Sequence, residues 1–509
     1  MRRGNTGSAP VSESALAPGP DQPTAHQPAL WRGLRRPRWT VAAATALLML
    51  GSSPGLANER VLARIDADAE RNADVARQIW QWAEVGYKEE RSAALLAEQL
   101  REAEFEITFG VAGIPTAFIA EYGSGGPVIA ILGEYDALPG ITQTDAPIRD
   151  RRDDVDAGHA CGHHLFGTAS MSAALAVAEW LDATGTPGRV RFYGTPAEEG
   201  GAGKVYMVRA GLFDDVDVAL HWHPGDRNAA HARTSNANRS AKFRFHGQSA
   251  HAAASPERGR SALDGVEAMN MMVNMMREHV PQDSRIHYVI TEGGAAPNVT
   301  PDFAEVFYYT RHPHPDEVRA IFDRVVKAGE GAALGTGTRM EYEIIHGLLS
   351  LLPNERLQRI MHAHLESVGG VDYDAQELAF AEQIRPSLGE PDRTATDAAR
   401  VEPFAFGHGY GSTDVGDVSW AVPTAGLYTA TWVPGTSAHS WQAIAAGGTS
   451  IGMKGMQNAA KVMALTALQL YQDPQAIADA RAEFEQRRGA DFVYQPLLGD
   501  RDPPLDYRD

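Results

Sequence analysis

Four short segments concentrate the residue types that bind metals and move protons. Gly158-His159-Ala160-Cys161-Gly162-His163-His164 sets the chain's single cysteine among three histidines. A thiolate and imidazoles at one loop-to-helix junction make a nitrogen-and-sulfur set suited to a divalent metal. A helix N-terminus there also favours the thiolate form. Thr195-Pro196-Ala197-Glu198-Glu199-Gly200-Gly201 follows a strand-like run. Adjacent carboxylates at a strand end can divide labour, one binding metal and the other taking a proton from the attacking water. Leu220-His221-Trp222-His223-Pro224 puts two histidines at i and i+2 of a strand. They point the same way, and either can bind metal. Thr436-Ser437-Ala438-His439-Ser440-Trp441 precedes the last long helix. Taken singly, an inert buried cysteine, a solvated acidic turn and surface histidines account for these segments. Taken together at strand ends, where an open α/β sheet carries its functional groups, they point to one metal site.

The elements that must position these segments follow from periodicity. From Glu59 to about Leu100 apolar residues recur at helical spacing, which predicts two helices broken near Gly86. Thr116–Tyr122 and Val128–Leu132 read as strands, and the Gly-Ser-Gly-Gly-Pro between them as a hairpin turn. A long Ala-rich helix spans about Leu165–Leu181, and short strands follow at Val190–Tyr193 and Val216–Leu220. This alternation predicts an α/β catalytic domain with a mixed, largely parallel sheet. From about Asn238 the pattern changes to β-α-β-β-α, read as an inserted α+β domain over residues 238–350. The first pattern resumes and ends in a helix from about Trp441 to Tyr471. The catalytic domain is therefore assigned to 58–237 and 351–475, and 476–509 to a C-terminal tail of helix and extended strap. Met269, Met271, Met272, Met275 and Met276 on the inserted domain's first helix read as core or interface packing rather than metal ligands.

Residues 1–57 are excluded from the fold. A Pro/Ala/Ser/Gly-rich stretch with no apolar period reads as disordered, then Arg32, Arg35, Arg36 and Arg38 precede an apolar run, Val41–Leu50, and small residues ending at Ala57. That order is a signal peptide, implying a periplasmic or secreted protein with no stable membrane span after cleavage. The segment holds six Arg against two acids, so the remainder is more acidic than the whole chain's −19. So acidic a chain is a poor partner for nucleic acid. Hydrophobic residues at 43% and charged residues at 22% exclude collagen, coiled coil and wholesale disorder. One cysteine excludes an intrachain disulfide framework.

The four segments, in this order and spacing, resemble the M20 metallopeptidase family and more closely its amidohydrolase branch. GEYDALPG (133–140), GHACGHH (158–164) and PAEEGG (196–201) most resemble the aminobenzoyl-glutamate hydrolase B-subunit type, and the resemblance covers about residues 60–472. It implies two divalent ions, zinc or manganese, held by Cys161, His163, Glu199, His221 and His439. It makes Glu198 the general base and Asp136 a carboxylate that orients the ligands. It leaves His223 off the ligand set and gives no role to His159 or His164. His164 stands where the branch often has Asn. Phe245-His246-Gly247-Gln248-Ser249-Ala250-His251 resembles the family's lid motif, implying a homodimer in which His251 reaches across to polarise the scissile carbonyl. A developing oxyanion needs such a donor. Gly293-Gly294-Ala295-Ala296-Pro297-Asn298-Val299 resembles the substrate-carboxylate segment, with Asn298 as donor and Arg311 as a possible added cation.

The function so implied is metal-dependent hydrolysis of the amide of an N-acyl or N-aroyl amino acid with a free carboxylate. Lid closure would exclude water and carry His251 into place. Three alternatives share the scaffold or the residues: a dipeptidase or carboxypeptidase, a non-catalytic metal- or ligand-binding homologue, and an enzyme using Cys161 as nucleophile. The resemblance also admits a second, different subunit.

Overall fold

A computed structural model describes residues 54–390 and 392–509. The basic stretch and apolar run read as a leader lie outside the described residues, except that residues 54–57 open the first helix.

In chain order the helices α1 (Pro54–Ala67), α2 (Ala69–Trp82) and α3 (Glu90–Glu102) come first. The strands β1 (Glu106–Phe109), β2 (Phe118–Ser124), β3 (Val128–Gly133), β4 (Leu138–Pro139) and β5 (Ala157–Gly158) follow. Next are α4 (His163–Thr184), β6 (Gly188–Gly194), α5 (Gly203–Arg209), β7 (Val218–Gly225) and β8 (Ala232–Thr234). The inserted segment holds β9 (Ala237–His246), α6 (Ala262–Met276), β10 (Arg285–Glu292), β11 (Phe303–His312), α7 (Pro315–Thr336) and β12 (Arg339–Leu348). The chain then forms α8 (Glu355–Val368), α9 (Ala375–Ile384), β13 (Phe406–His408), α10 (Val415–Ala421), β14 (Thr424–Ala430), α11 (Trp441–Gly447), α12 (Ser450–Gln472) and α13 (Pro474–Arg488).

The main sheet has the order β1-β2-β6-β3-β7-β14. β6, β3, β7 and β14 are parallel, and β2 runs antiparallel to β6. This is the mixed, largely parallel sheet expected of the α/β class. β3 is buried along its whole length, as the unbroken run VIAILG requires of a strand covered on both faces. Its alternation divides the core. Ile129 and Ile131 join the layer of α4 and α12, while Val128, Ala130 and Leu132 face the layer of α5 and α10. α4 is apolar nearly all round and buried along most of its length, the pattern of a helix enclosed in a core.

The second sheet, β10-β11-β9-β12, is antiparallel and carries α6 and α7 over a core of its own, built on Phe243, Phe245, Met269 and Phe322. Of the methionine cluster, Met269 and Met276 are buried, and Met271, Met272 and Met275 are exposed.

Several local expectations are corrected. β2 and β3 do not form a hairpin, because β6 lies between them. The hairpin is instead β1–β2, with Glu106 opposite Glu121. The first helical stretch is three helices, not two, with an extra break at Asp68. The last helix is divided into α11 and α12 at Gly448 and Thr449, where the Thr449 hydroxyl caps the new start.

Candidate active site

The site gathers at the carboxyl ends of the parallel strands, and each chemical segment arrives from a different strand. Glu134 and Asp136 follow β3, Glu198 and Glu199 follow β6, His223 lies near the end of β7, and His439 stands in the loop between β14 and α11. Cys161 and His163 flank Gly162 at the start of α4. Gly162 has φ +78°, and a Cβ there would stand 2.6 Å from Pro224. No other residue fits that turn without moving β7. The loops are tied by backbone as well, since the His439 N–H donates to the Ala160 carbonyl at 2.9 Å. Ala197 and His439 are held at φ +58° and +60°. Left-handed backbone at non-glycine residues is costly and persists where the surroundings impose it.

Asp136 is the organising carboxylate. His163 Nδ1–H donates to Asp136 Oδ1 at 2.9 Å, and the Glu199 backbone N–H donates to Oδ2 at 2.9 Å. Burial alone would raise Asp136, but the His163 imidazole and these hydrogen bonds hold it below the usual carboxylate range. With Nδ1 fixed, His163 Nε2 faces inward, 3.1 Å from Glu134 Oε2. Glu134 also pairs with the buried Lys204 ammonium at 2.6 Å, which in turn pairs with Asp414 at 2.8 Å.

Donor atoms from these side chains form three overlapping groups, each within 4.8 Å: Cys161, His163 and His223; Cys161, Glu199 and His439; Glu134, His163 and Glu198. Their chemistry fits a divalent ion: one sulfur, imidazole nitrogens and carboxylate oxygens. Three buried atoms in these groups make no well-formed hydrogen bond and face only another candidate donor atom: Glu134 Oε2 and His163 Nε2 face each other at 3.1 Å, and Glu199 Oε1 faces His439 Nε2 at 3.0 Å. Buried polar atoms left so are costly unless an ion or water satisfies them. Cys161 joins two groups, as expected where two ions sit side by side. Burial and the Glu199 carboxylate push its thiol up, the reverse of what a free cysteine nucleophile needs. Burial, then Glu134 and Glu199, push Glu198 well above the ordinary carboxylate.

The structure thus brings together Glu198, Asp136, Cys161, His163, Glu199 and His439. It does not bring His221 into any of the three groups; His223 takes that place, with Nε2 3.4 Å from Cys161 Sγ. Both histidines share a face of β7, but His223 is two residues nearer the carboxyl edge, roughly 6.6 Å at strand rise. The His221 ring instead packs over Gly426 of β14, where a Cβ would stand 2.1 Å from Nε2. His159 and His164 are buried against the backbone carbonyls of Ile79 and Gly447.

On the second sheet's domain, His251 is exposed and its Nδ1 accepts from the Ala253 and Ala254 N–H groups. It lies beside the Asn298 segment, bridged to Val299. Neither His251 nor Asn298 lines the catalytic cavity of this chain. Arg311 reaches its rim, with Nη1 3.4 Å from Ser412 Oγ. Residues that the motifs do not single out also belong to the site. Glu134, Lys204 and Asp414 form its buried charge relay, and Glu89 accepts from the Ala197 N–H at 2.8 Å. Burial, with Asp136 nearby, pushes Glu89 up to about 8. Glu134 stands in plain view in GEYDALPG, whereas nothing local to Lys204 or Asp414 announces the pair.

Known proteins share this arrangement of sequence and fold. Residues 130–442 match the model of peptidase family M20/M25/M40. The chain is 43% identical to the B subunit of p-aminobenzoyl-glutamate hydrolase from Escherichia coli strain K12, over 83% of this chain and 93% of that one. It is 30% identical to the Xaa-Arg dipeptidase of Mus musculus, over 84% of this chain and 92% of that one. Among solved structures, a dinuclear metal-binding M20 peptidase of Bacillus subtilis shares the fold, with a TM-score of 0.55 at 18% identity over 79% of this chain and 99% of that one.

Proposed function

The chain belongs to peptidase family M20/M25/M40 and is a hydrolase of amide bonds, and from that premise we propose that it cleaves N-aroyl or N-acyl amino acids of the p-aminobenzoyl-glutamate kind, with Glu198 as general base. The observation that carries the mechanism is the position of Glu198: a half-buried carboxylate whose oxygen shares a 4.8 Å neighbourhood with Glu134 and His163, beside the Cys161, Glu199 and His439 donors. Two divalent ions, zinc or manganese, held by Cys161, His163, Glu199, His223 and His439, would supply Lewis acidity toward the amide carbonyl and the attacking water.

The chain's own residues do the rest. Glu198 takes the proton of the attacking water and returns it to the leaving nitrogen. Asp136 fixes the His163 tautomer and, through the Glu199 N–H, the loop that carries the base. His251 of a second copy, delivered by the lid, donates to the developing oxyanion. In support of a second subunit, identical or different, β10 is an edge strand with Tyr288, Val289 and Ile290 exposed, joined to the exposed methionines of α6 through Asn274 and Tyr288. We assign the protein to the periplasm or the secreted fraction on its N-terminal segment alone. Among the described residues no helix is long and apolar enough to cross a membrane.

The test is Glu198→Gln in the metal-loaded protein. Metal content should stay at the wild-type value while release of free amino acid falls by at least about a thousandfold. Full turnover in the variant would refute the base. The similarity to an Xaa-Arg dipeptidase favours a second reading, a dipeptidase on the same site. A panel of aroyl-glutamates against dipeptides separates the two.

A further inference from the structure

Glu134, Cys161, Glu198 and His223 line a cavity of about 220 Å³. Arg233 lines it from β8, the short strand paired in parallel with β13 at Gly407. Its guanidinium lies 4.2 Å from the centre of the Tyr428 ring. Among the described residues no carboxylate pairs with it and no acceptor hydrogen-bonds it, although Arg191, Arg227 and Arg244 each hold a carboxylate. Burial, with Arg227 nearby, pulls it down to about 10. A half-buried cation that faces a cavity with no anion beside it has its hydrogen-bonding capacity free for a ligand. Besides the carboxylates Glu134, Glu198 and Glu199, the cavity is lined by neutral or weakly basic groups, among them His221, His231, Ser235 and Thr413.

We propose that Arg233 is the specificity residue of this enzyme, binding a second carboxylate, the side-chain carboxylate of an acidic leaving amino acid. The inference rests on the reading of the site as an aroyl-amino-acid hydrolase. The physical grounds are the geometry and the charge. The Tyr428 ring, 4.2 Å from the guanidinium carbon and lining the same cavity, gives the cation a fixed seat there. A planar fork binds a carboxylate through two parallel hydrogen bonds, and does so more strongly where water is excluded. The free α-carboxylate has separate candidates, Asn298 and Arg311, on the second domain. Arg233 stands on the main-sheet side and is open to the same cavity as Glu198, so the leaving amino acid can set its side-chain carboxylate on Arg233 while its α-carboxylate is held separately. A basic leaving residue would meet like charge at Arg233, which sets this chain apart from a preference for arginine at that position.

The experiment compares wild type, Arg233→Met and Arg233→Lys as full-length, metal-loaded protein. The first readout is the ratio of kcat/KM for 4-aminobenzoyl-glutamate over 4-aminobenzoyl-glutamine. The second is calorimetric titration with glutarate, which needs no turnover. Wild type should prefer the glutamate conjugate by at least tenfold, Arg233→Met should bring the ratio near one, and Arg233→Lys should fall between. Glutarate affinity should drop at least tenfold in Arg233→Met. An unchanged ratio and unchanged glutarate affinity in Arg233→Met would overturn the proposal. Should Arg233→Met not fold, the same two readouts on Arg233→Lys decide, since a point charge cannot replace a fork. If wild type cleaves neither conjugate yet binds glutarate through Arg233, the hydrolase reading fails and the anion subsite stands.

Discussion

The hydroxyl of Tyr507, two residues from the end of the chain, lies 3.2 Å from the backbone carbonyl of Glu199. The Arg508 guanidinium donates to the same oxygen at 2.5 Å. The strap is seated on its other side by Tyr87, edge-on at 5.5 Å, and by the Asp509–Lys88 pair. Gly86 makes the room, since a Cβ there would stand 2.1 Å from the Tyr507 hydroxyl oxygen. Residues far outside the family match at 130–442 therefore hold the loop that carries Glu198 and Glu199.

Loosening that loop costs alignment of the base. Tyr507→Phe combined with Arg508→Ala should lower kcat by about tenfold with little change in KM, the pattern of a displaced catalytic group. Steady-state kinetics on the metal-loaded protein read it. An unchanged kcat would show that the strap only decorates the loop.

Asp136 serves His163 and the Glu199 backbone at once. Asp136→Asn keeps the shape but loses the charge and one acceptor, and metal affinity should fall by about 10- to 100-fold. Competition with a chromogenic chelator measures this directly.

The two histidines of β7 are separable. His223→Ala should lose metal, to about one ion per chain or fewer, while His221→Ala should keep the wild-type content. Elemental analysis after dialysis distinguishes them. The reverse pattern would restore His221 as ligand.

This last pair shows what was legible in the amino-acid sequence and what was not. Strand alternation places His221 and His223 on one face, but only the position of the β7 end relative to Cys161 decides which comes within reach of the sulfur. The residue types at the strand ends, Cys161, Glu198, Glu199 and His439, are readable because chemistry restricts them to few choices. The hairpin expected across Gly123–Pro127 failed for a nonlocal reason. β6, about sixty residues further on, inserts between β2 and β3, and no turn residue encodes that. Lys204 and Asp414 are 210 residues apart and meet only once the sheet has formed. Arg233 looks like any surface arginine until its lack of a partner is seen in three dimensions.

Asp417 supplies a pH dependence of stability remote from the ligands. Its Oδ2 accepts from the Leu349 N–H at 2.9 Å and its Oδ1 from the Tyr494 hydroxyl at 2.8 Å. Burial pushes it up from 3.8 to about 7. A carboxyl raised on folding stabilises the fold fully below its unfolded pKa, and that contribution is lost as pH rises through about 7. Stability should therefore fall from pH 4 toward pH 7 by up to about 1 kcal/mol per pH unit from this group. Asp417→Asn should flatten that part of the profile, read by chemical denaturation across the range. A parallel profile in the variant would place the proton elsewhere.

The most direct test of the whole account is anomalous diffraction from crystals of the metal-loaded protein. Two peaks should appear side by side, one of them about 2.3 Å from Cys161 Sγ, with His163, Glu199, His223 and His439 completing the shell and Glu198 unligated beside it. A single ion elsewhere, or none within bonding reach of the sulfur, would contradict it.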